Sequence, residues 1–313
     1  MLRLIARRLV ISVVLVFVVS LAAFLLQSAA PGDLAQTILG EHYSPEAHEQ
    51  LRHQLGLDQP ILTQYWYWLQ QALGGDLGSS PISGLDVEQE IANRLPVTLS
   101  LIACATVITT LAGVLLGVVS AVRGGRIGRS VDVLSLVGYA LPSFWFALTM
   151  VTLFAVTIRI LPATGYVALG ASPGGWARSL VLPVATLALP GTAVFAKQTR
   201  DAMLETLSRG YVTALRANGV SESSIVFRHA LRNAAIPVVT LVGLTFIGLL
   251  SGTVFVESVF AMPGLGGLAV QATANHDIRM IQGVVVVFTL IVVAVNLLVD
   301  LAYGRLNPKV RVR

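Results

Sequence analysis

Three histidines, His42, His48 and His53, stand close together beside Glu41 and Glu49, side chains that could hold a metal ion. Their spacing works against it. His48 and His53 are five apart and do not share a helix face, whereas Glu49 and His53, four apart, do. A solvated polar surface accounts for the group. Nucleotide hydrolysis would need a glycine loop closing on Lys followed by Ser or Thr. The chain has two lysines, Lys197 followed by Gln198 and Lys309 followed by Val310, so that loop does not exist here. Gly264, Gly266 and Gly267 superficially match a dinucleotide fingerprint, but they sit between apolar runs and not in a strand–turn–helix unit. They predict an external re-entrant or turn element. No Ser/His/Asp arrangement with a local signature occurs. Cys104 is the single cysteine and lies in an apolar run, which excludes an intrachain disulfide and a cysteine-based metal site.

The remaining polar residues of interest are mild ones inside long apolar runs: Thr106, Thr109 and Thr110, then Thr240, Thr245, Ser251 and Thr253, then Asn296. Thr110, Thr245, Ser251 and Asn296 are candidates for lining a translocation path. Hydrogen bonding within or between helices is an equal reading. Asp132 and Asp300 fall near span ends, where snorkelling or a local arginine can satisfy them. The lack of a buried acidic relay counts against a proton-coupled carrier.

The elements that must position these residues are membrane spans. Of 313 residues, 55% are hydrophobic and 12% charged, and the mean hydropathy is +0.78, values that make lipid the solvent. The net charge of +5 is scattered between apolar runs and forms no basic groove for nucleic acid. The basic start followed by an apolar stretch could pass for a secretory signal. However, residues 9–30 would extend roughly 33 Å as a helix, enough to cross the hydrocarbon core, so they predict a retained first span. Five more apolar stretches follow at about 96–121, 131–158, 180–199, 234–256 and 280–303. Backbone groups in lipid need internal partners, so all six predict helices.

With the N-terminus inside, sixteen basic residues lie on the inner side and five, Arg52, Arg94, Arg159, Arg178 and Arg279, on the outer. The positive-inside rule therefore puts both termini in the cytoplasm. Residues 31–95 form the longest external segment. Ser44 and Pro45 predict a helix start, with Ala47, Leu51 and Leu55 on one face and Gly56 as the stop. A second helix is expected from about Pro60 to Gly74 and Gly75, its cluster Tyr65, Trp66, Tyr67 and Trp68 suiting the membrane–water interface. On the other side, about 200–233 is polar enough to leave the membrane. The pattern Tyr211, Ala214, Leu215 and Asn218, ended by Gly219, predicts an amphipathic cytoplasmic helix that rests on lipid or docks into a partner's groove.

That loop, YVTALRANGVSESSIVFRHALRNAAIP over Tyr211–Pro237, resembles the EAA-type loop of the permeases of peptide, nickel and opine ABC importers. The resemblance extends in order along the chain through LIARRLV, PGDLAQTILG, LGLDQPILTQYWYWL, GGDLGSS, LPVTLSL, LPSFWFAL, VFVESVFAMPGLGGL and NLLVDLAYGRLNPKVR. The large external segment and N-terminal ARR are more similar to the dipeptide or oligopeptide B-type subunit than to its C-type partner. Thr213 stands where the general motif has its glutamate, Gly210 where an acidic residue often precedes the tyrosine, and Asn218 where a lysine is common.

The resemblance implies an all-α type I ABC importer permease with six transmembrane helices in one domain, residues 1–313. Within it, 1–30 would be the N-terminal tail and first span, 31–95 the external segment, and 96–313 a five-span core. It implies a non-catalytic subunit of the bacterial inner membrane that holds no cofactor, ATP and magnesium being bound by partner subunits. Those partners would be a second homologous permease, two cytoplasmic ATPases and an extracytoplasmic substrate-binding protein. The cargo would be short peptides, or else nickel, glutathione or another small solute. A self-sufficient secondary carrier is the competing class. Tyr211, Ala214, Leu215, Ala217, Gly219, Ser221 and Glu222 would couple the chain to the ATPase.

Overall fold

The computed structural model describes residues 2–30 and 32–306 of the chain. Pro31 and the C-terminal Lys309, Arg311 and Arg313 lie outside them. Among the described residues the long elements are helices: α1 (Leu2–Ala29), α2 (Leu34–Leu39), α3 (Pro45–Leu55), α4 (Ile61–Leu73), α5 (Val87–Arg123), α6 (Gly125–Ala140), α7 (Ser143–Met150), α8 (Pro173–Leu207), α9 (Gly210–Ala217), α10 (Glu222–Ser224), α11 (Leu231–Val259), α12 (Leu265–Ala274) and α13 (Ile278–Leu306). Five of them, α1, α5, α8, α11 and α13, are long and apolar enough to cross a bilayer.

The stretch expected to form the third span, 131–158, is not one helix. It is broken at Leu141 and Pro142, both in extended backbone, and resumes as α7 and a π-helical run, Val151–Thr157. Proline supplies no N–H, and its ring pushes the preceding residue out of the helical region, so the chain bends there.

The chain divides into two compact units, the described residues up to Thr98 with Pro263–Ala294, and Leu99–Met262 with the described residues from Val295 on. In the first unit, Asp33 caps α2 by accepting from the N–H groups of Ala35 and Gln36, at 2.8 and 3.3 Å. Its other oxygen meets His48 Nε2 at 2.9 Å. That pairing engages the central histidine of the sequence cluster. Ser44 caps α3, which Gly56 ends in the left-handed conformation at φ 69°.

The aromatic cluster of α4 divides by helix face. Tyr65 and Trp68 are buried against Phe24 of α1, whereas Trp66 and Tyr67 stay 55% and 61% exposed. Only the outer pair suits the interfacial role expected of all four. The Tyr65 hydroxyl lies 2.9 Å from Ser20 Oγ, and fully buried Gln282 of α13 donates to the Ser20 carbonyl at 2.6 Å. The glycine cluster at 264–267 opens α12, a ten-residue helix with one buried face, Leu265, Gly266, Leu268 and Ala272, whose Leu265 N–H is capped by Thr98 Oγ1 at 2.8 Å.

In the second unit α8 is the central element. Gly113 and Gly117 of α5, one turn apart, let α8 approach closely. A Cβ on Gly113 would lie 2.8 Å from Phe195 Cβ, and one on Gly117 2.6 Å from the Ala196 carbonyl oxygen. One face of α6, Gly128, Val131 and Ser135, is buried, and Ser135 donates to the Ala193 carbonyl of α8. Asp132, in the middle of α6, receives Arg200 at 3.0 Å and Lys197 at 3.2 Å, the kind of local basic partner expected for it.

Candidate functional site

The site with a distinctive build is the turn-back between α8 and α11. Leaving α8 at Leu207, the chain holds Arg209 in extended backbone and pairs its guanidinium with Glu205 at 2.9 Å. It then enters α9, eight residues or about 12 Å long. Val212 is wholly buried, and Leu215, three residues on, is half-buried on the same side. Gly210, Thr213, Ala214 and Ala217 fall on the opposite, exposed side. Helical periodicity separates these two sets, so α9 presents outward a strip of small side chains.

The end of α9 is a Schellman motif. Gly219 sits at φ 76°, its N–H donates to the Arg216 carbonyl at 3.0 Å, and the Val220 N–H donates to the Leu215 carbonyl at 3.1 Å. Glycine is required because a Cβ is strained at that φ. The chain reverses there and starts a new helix at Ser221 and Glu222. Arg216 and Glu222 clasp the reversal through two hydrogen bonds of 2.6 and 3.2 Å. This bonding holds the Glu222 carboxyl below its ordinary 4.5 and raises the Arg216 guanidinium.

From Glu222 the backbone stays helical into α11, with a π-helical run at Ile225–Ala230. Ile225 is fully buried, and Val226, Ala230 and Ala234 pack with Met203 of α8 and with Val118 and Ala121 of α5. Asn233 of α11 donates to the Tyr211 hydroxyl at 3.0 Å and to the His229 carbonyl at 3.0 Å. What this arrangement can do is mechanical. Buried Val212 seats α9 and the exposed Tyr211–Asn233 bond ties it to α11, so a load on the outer strip of α9 would be passed on to α11.

Residues 113–312 match the model of a family described as the binding-protein-dependent transport system inner membrane component. The chain belongs to that family. Residues 1–102 match its N-terminal membrane-component model. A Brucella abortus (strain 2308) protein named as a peptide transport system permease is 42% identical over 309 residues, 98% of each chain. A peptide ABC transporter permease of Sinorhizobium fredii (strain NBRC 101917 / NGR234) is 37% identical over 98% of each. The glutathione transport system permease protein GsiC of Escherichia coli (strain K12) is 36% identical over 99% of each. Among solved structures, a chain of the inward-facing MetNI methionine ABC transporter matches with a TM-score of 0.55 at 20% identity, covering 70% of this chain and 97% of that one. The fold is therefore that of a type I ABC importer permease.

Of the residues of this permease singled out from sequence, Tyr211, Ala214, Leu215, Ala217, Gly219, Ser221 and Glu222 come together in the turn-back. Leu215 faces the Val212 side and not the open strip. The candidate path residues are dispersed. Thr110 has a buried hydroxyl without a partner among the described residues, Thr245 is half-buried, Ser251 is exposed and bonds to its own helix at the Ile247 carbonyl, and Asn296 is exposed. No hydrogen bond among the described residues joins any two of them.

Sequence reading missed Val212, Asn233 and the Arg216–Glu222 clasp. Val212 was findable, since it lies three residues before Leu215 and away from Ala214 and Ala217. The clasp was not, because six residues and a glycine reversal separate its halves. Gly113 and Gly117 carried an available signal in the GxxxG spacing of GVLLG.

Proposed function

We propose that this chain is the membrane permease of an ATP-driven importer of short peptides, non-catalytic and without a cofactor of its own. It works with a second permease, two cytoplasmic ATPases that bind ATP and magnesium, and an extracytoplasmic binding protein. Both termini face the cytoplasm, in line with sixteen basic residues on the inner side against five on the outer. The peptide class is supported by the names of two full-length relatives, and glutathione, the cargo in a third name, is itself a tripeptide. ATP closes the ATPase dimer, the docked α9 moves as a lever, and the permease pair turns its cavity outward.

The observation that carries this reading is the outward strip of α9. Gly210, Thr213, Ala214 and Ala217 leave its backbone open to a groove, while Val212 and Tyr211–Asn233 fasten its rear to the core. A helix resting on lipid would need large apolar side chains on its free side, and Ala214→Trp would then strengthen its attachment. In a protein groove the added bulk overpacks by about 1–3 kcal/mol, weakening a modest interface about five- to 150-fold. Gly219→Asp forces a side chain into the left-handed reversal. Both variants should insert normally while losing ATPase co-purification and substrate-stimulated ATP hydrolysis. Wild-type transport by both, with the ATPase retained, overturns the coupling assignment.

A further inference from the structure

The exposed side of α6 is graded from charge to oil. Its buried face turns Gly128, Val131 and Ser135 inward, and the opposite face carries Arg126, Arg129, Ser130, Val133, Leu134 and Val137. These follow one another at three- and four-residue steps, so they form a single stripe. Arg126, Arg129, Ser130, Val133 and Leu134 line one shallow hollow. Leu134 also lines a second cavity of about 290 Å³, whose other walls include Val137, Leu141, Phe146, Leu189 and Pro190. The break at Leu141 and Pro142 leaves room for that cavity, because the third span bends away there. The single acid of α6, Asp132, is committed to Arg200 and Lys197, which leaves the Arg126 and Arg129 guanidiniums exposed with no carboxylate of α6 on their own face.

We propose that this stripe is a binding site for one anionic phospholipid, its phosphate held by Arg126 and Arg129 and an acyl chain laid past Leu134 into the cavity behind Val137 and Leu141. Charge complementarity selects the headgroup, since two guanidiniums one turn apart can share a phosphate. The gradient selects lipid over protein. A soluble partner would meet apolar side chains halfway along the stripe, and a second membrane helix would bury two uncompensated charges. The length also fits. From Arg126 to Leu141 is fifteen residues, about 22 Å along a helix, against a leaflet depth of about 20–22 Å, half of a roughly 40–45 Å bilayer. The site requires only that the chain spans a membrane. Its placement in the cytoplasmic leaflet rests on the orientation proposed above.

The test uses the full chain co-expressed with its partners, purified in detergent, and exposed to phosphatidylglycerol or to phosphatidylcholine of identical acyl chains. Native mass spectrometry reads the lipid retained. Each arginine near an anionic surface contributes about fivefold, so Arg126→Gln with Arg129→Gln should lower phosphatidylglycerol retention roughly 30-fold. Arg126→Lys with Arg129→Lys should recover most of it. Val137→Phe, which fills the cavity and leaves both charges in place, should also lower it. A photocrosslinking residue at Leu134 should label lipid. The proposal is overturned if the Gln pair retains phosphatidylglycerol like the wild type, if the Lys pair fails alongside it, or if phosphatidylcholine is held equally well. It is likewise overturned if millimolar inorganic phosphate displaces the lipid, which would make the site a general anion site, or if the crosslink joins a protein chain. Retained ATPase co-purification in each variant reports that the fold survives.

Discussion

Replacing Gly117 by alanine sets two ordinary effects against each other. In an unencumbered helix, glycine to alanine stabilises by roughly 0.5–1 kcal/mol, because glycine gives up more backbone freedom on folding. At Gly117 the new Cβ would stand 2.6 Å from both the Ala196 carbonyl oxygen and Thr199 Cβ, where real Cβ contacts essentially never fall below 3.0 Å. The carbonyl belongs to the α8 backbone, so no rotamer change relieves it, and α5 and α8 must part. Overpacking of this kind costs about 1–3 kcal/mol. Gly248 of α11 supplies the control, since a Cβ there meets nothing within 4 Å. The propensity gain is common to both variants, so their difference isolates the packing term, about 1–3 kcal/mol in favour of Gly248→Ala. By the scaling for domains of 150–250 residues this is roughly 2–12 °C in apparent Tm, read by intrinsic fluorescence in detergent at one scan rate. Thr199→Ala beside Gly117→Ala should recover only part of the loss, because it removes the Cγ2 contact at 2.9 Å but leaves the carbonyl and Cβ clashes. If Gly117→Ala melts at or above Gly248→Ala, the close approach of α5 and α8 is wrong.

Val212→Ala removes two buried carbons behind α9, a loss of about 1.5–2.5 kcal/mol, and should raise tryptic nicking after Arg216 more than tenfold with insertion unchanged; an unaltered nicking rate contradicts its seating role. Burial raises the Asp33 carboxyl, but hydrogen bonds from His48 and from the Gln36 and Ala35 N–H groups outweigh it and hold the group below its ordinary 3.8. Its contribution is therefore fully present above that value and lost as pH falls through the lowered one, so acid titration of tryptophan fluorescence should show a transition below about pH 4 that Asp33→Asn abolishes; an unchanged titration in Asp33→Asn argues against the cap. For orientation, exposed Ser83→Cys and Ser221→Cys in a Cys104→Ala background should react with an impermeant thiol reagent from opposite sides of the membrane, and reaction from the same side defeats the proposed topology.

Composition and periodicity alone located six apolar stretches suited to a membrane, five of them now long helices and the third broken at Pro142, because lipid admits only helices and the charges between them are sparse. Local signals were equally legible where the chemistry is local: Ser44, Pro45 and Gly56 bracket α3, and Gly219 ends α9 by a bond pattern confined to six residues. What periodicity could not decide was which of two apolar faces turns inward. Four consecutive aromatics at 65–68 read as one belt, yet the packing of Phe24 against Tyr65 and Trp68 divided them. Leu215 read only as part of the coupling helix, and the structure places it half-buried on the same side as fully buried Val212, with the small residues Gly210, Ala214 and Ala217 exposed opposite. The glycines at 264–267 read as a re-entrant or turn element, and the choice between the two was not local, because the Thr98 hydroxyl that accepts the Leu265 N–H at the start of α12 lies 167 residues away in sequence. Contacts of such long separation have no period to detect. The bond from Asn233 to Tyr211 and the seat of Gly117 on α8 are of this kind and exist only once the helices have packed, whereas the Arg216–Glu222 clasp, six residues apart, was hidden by the glycine reversal between its halves.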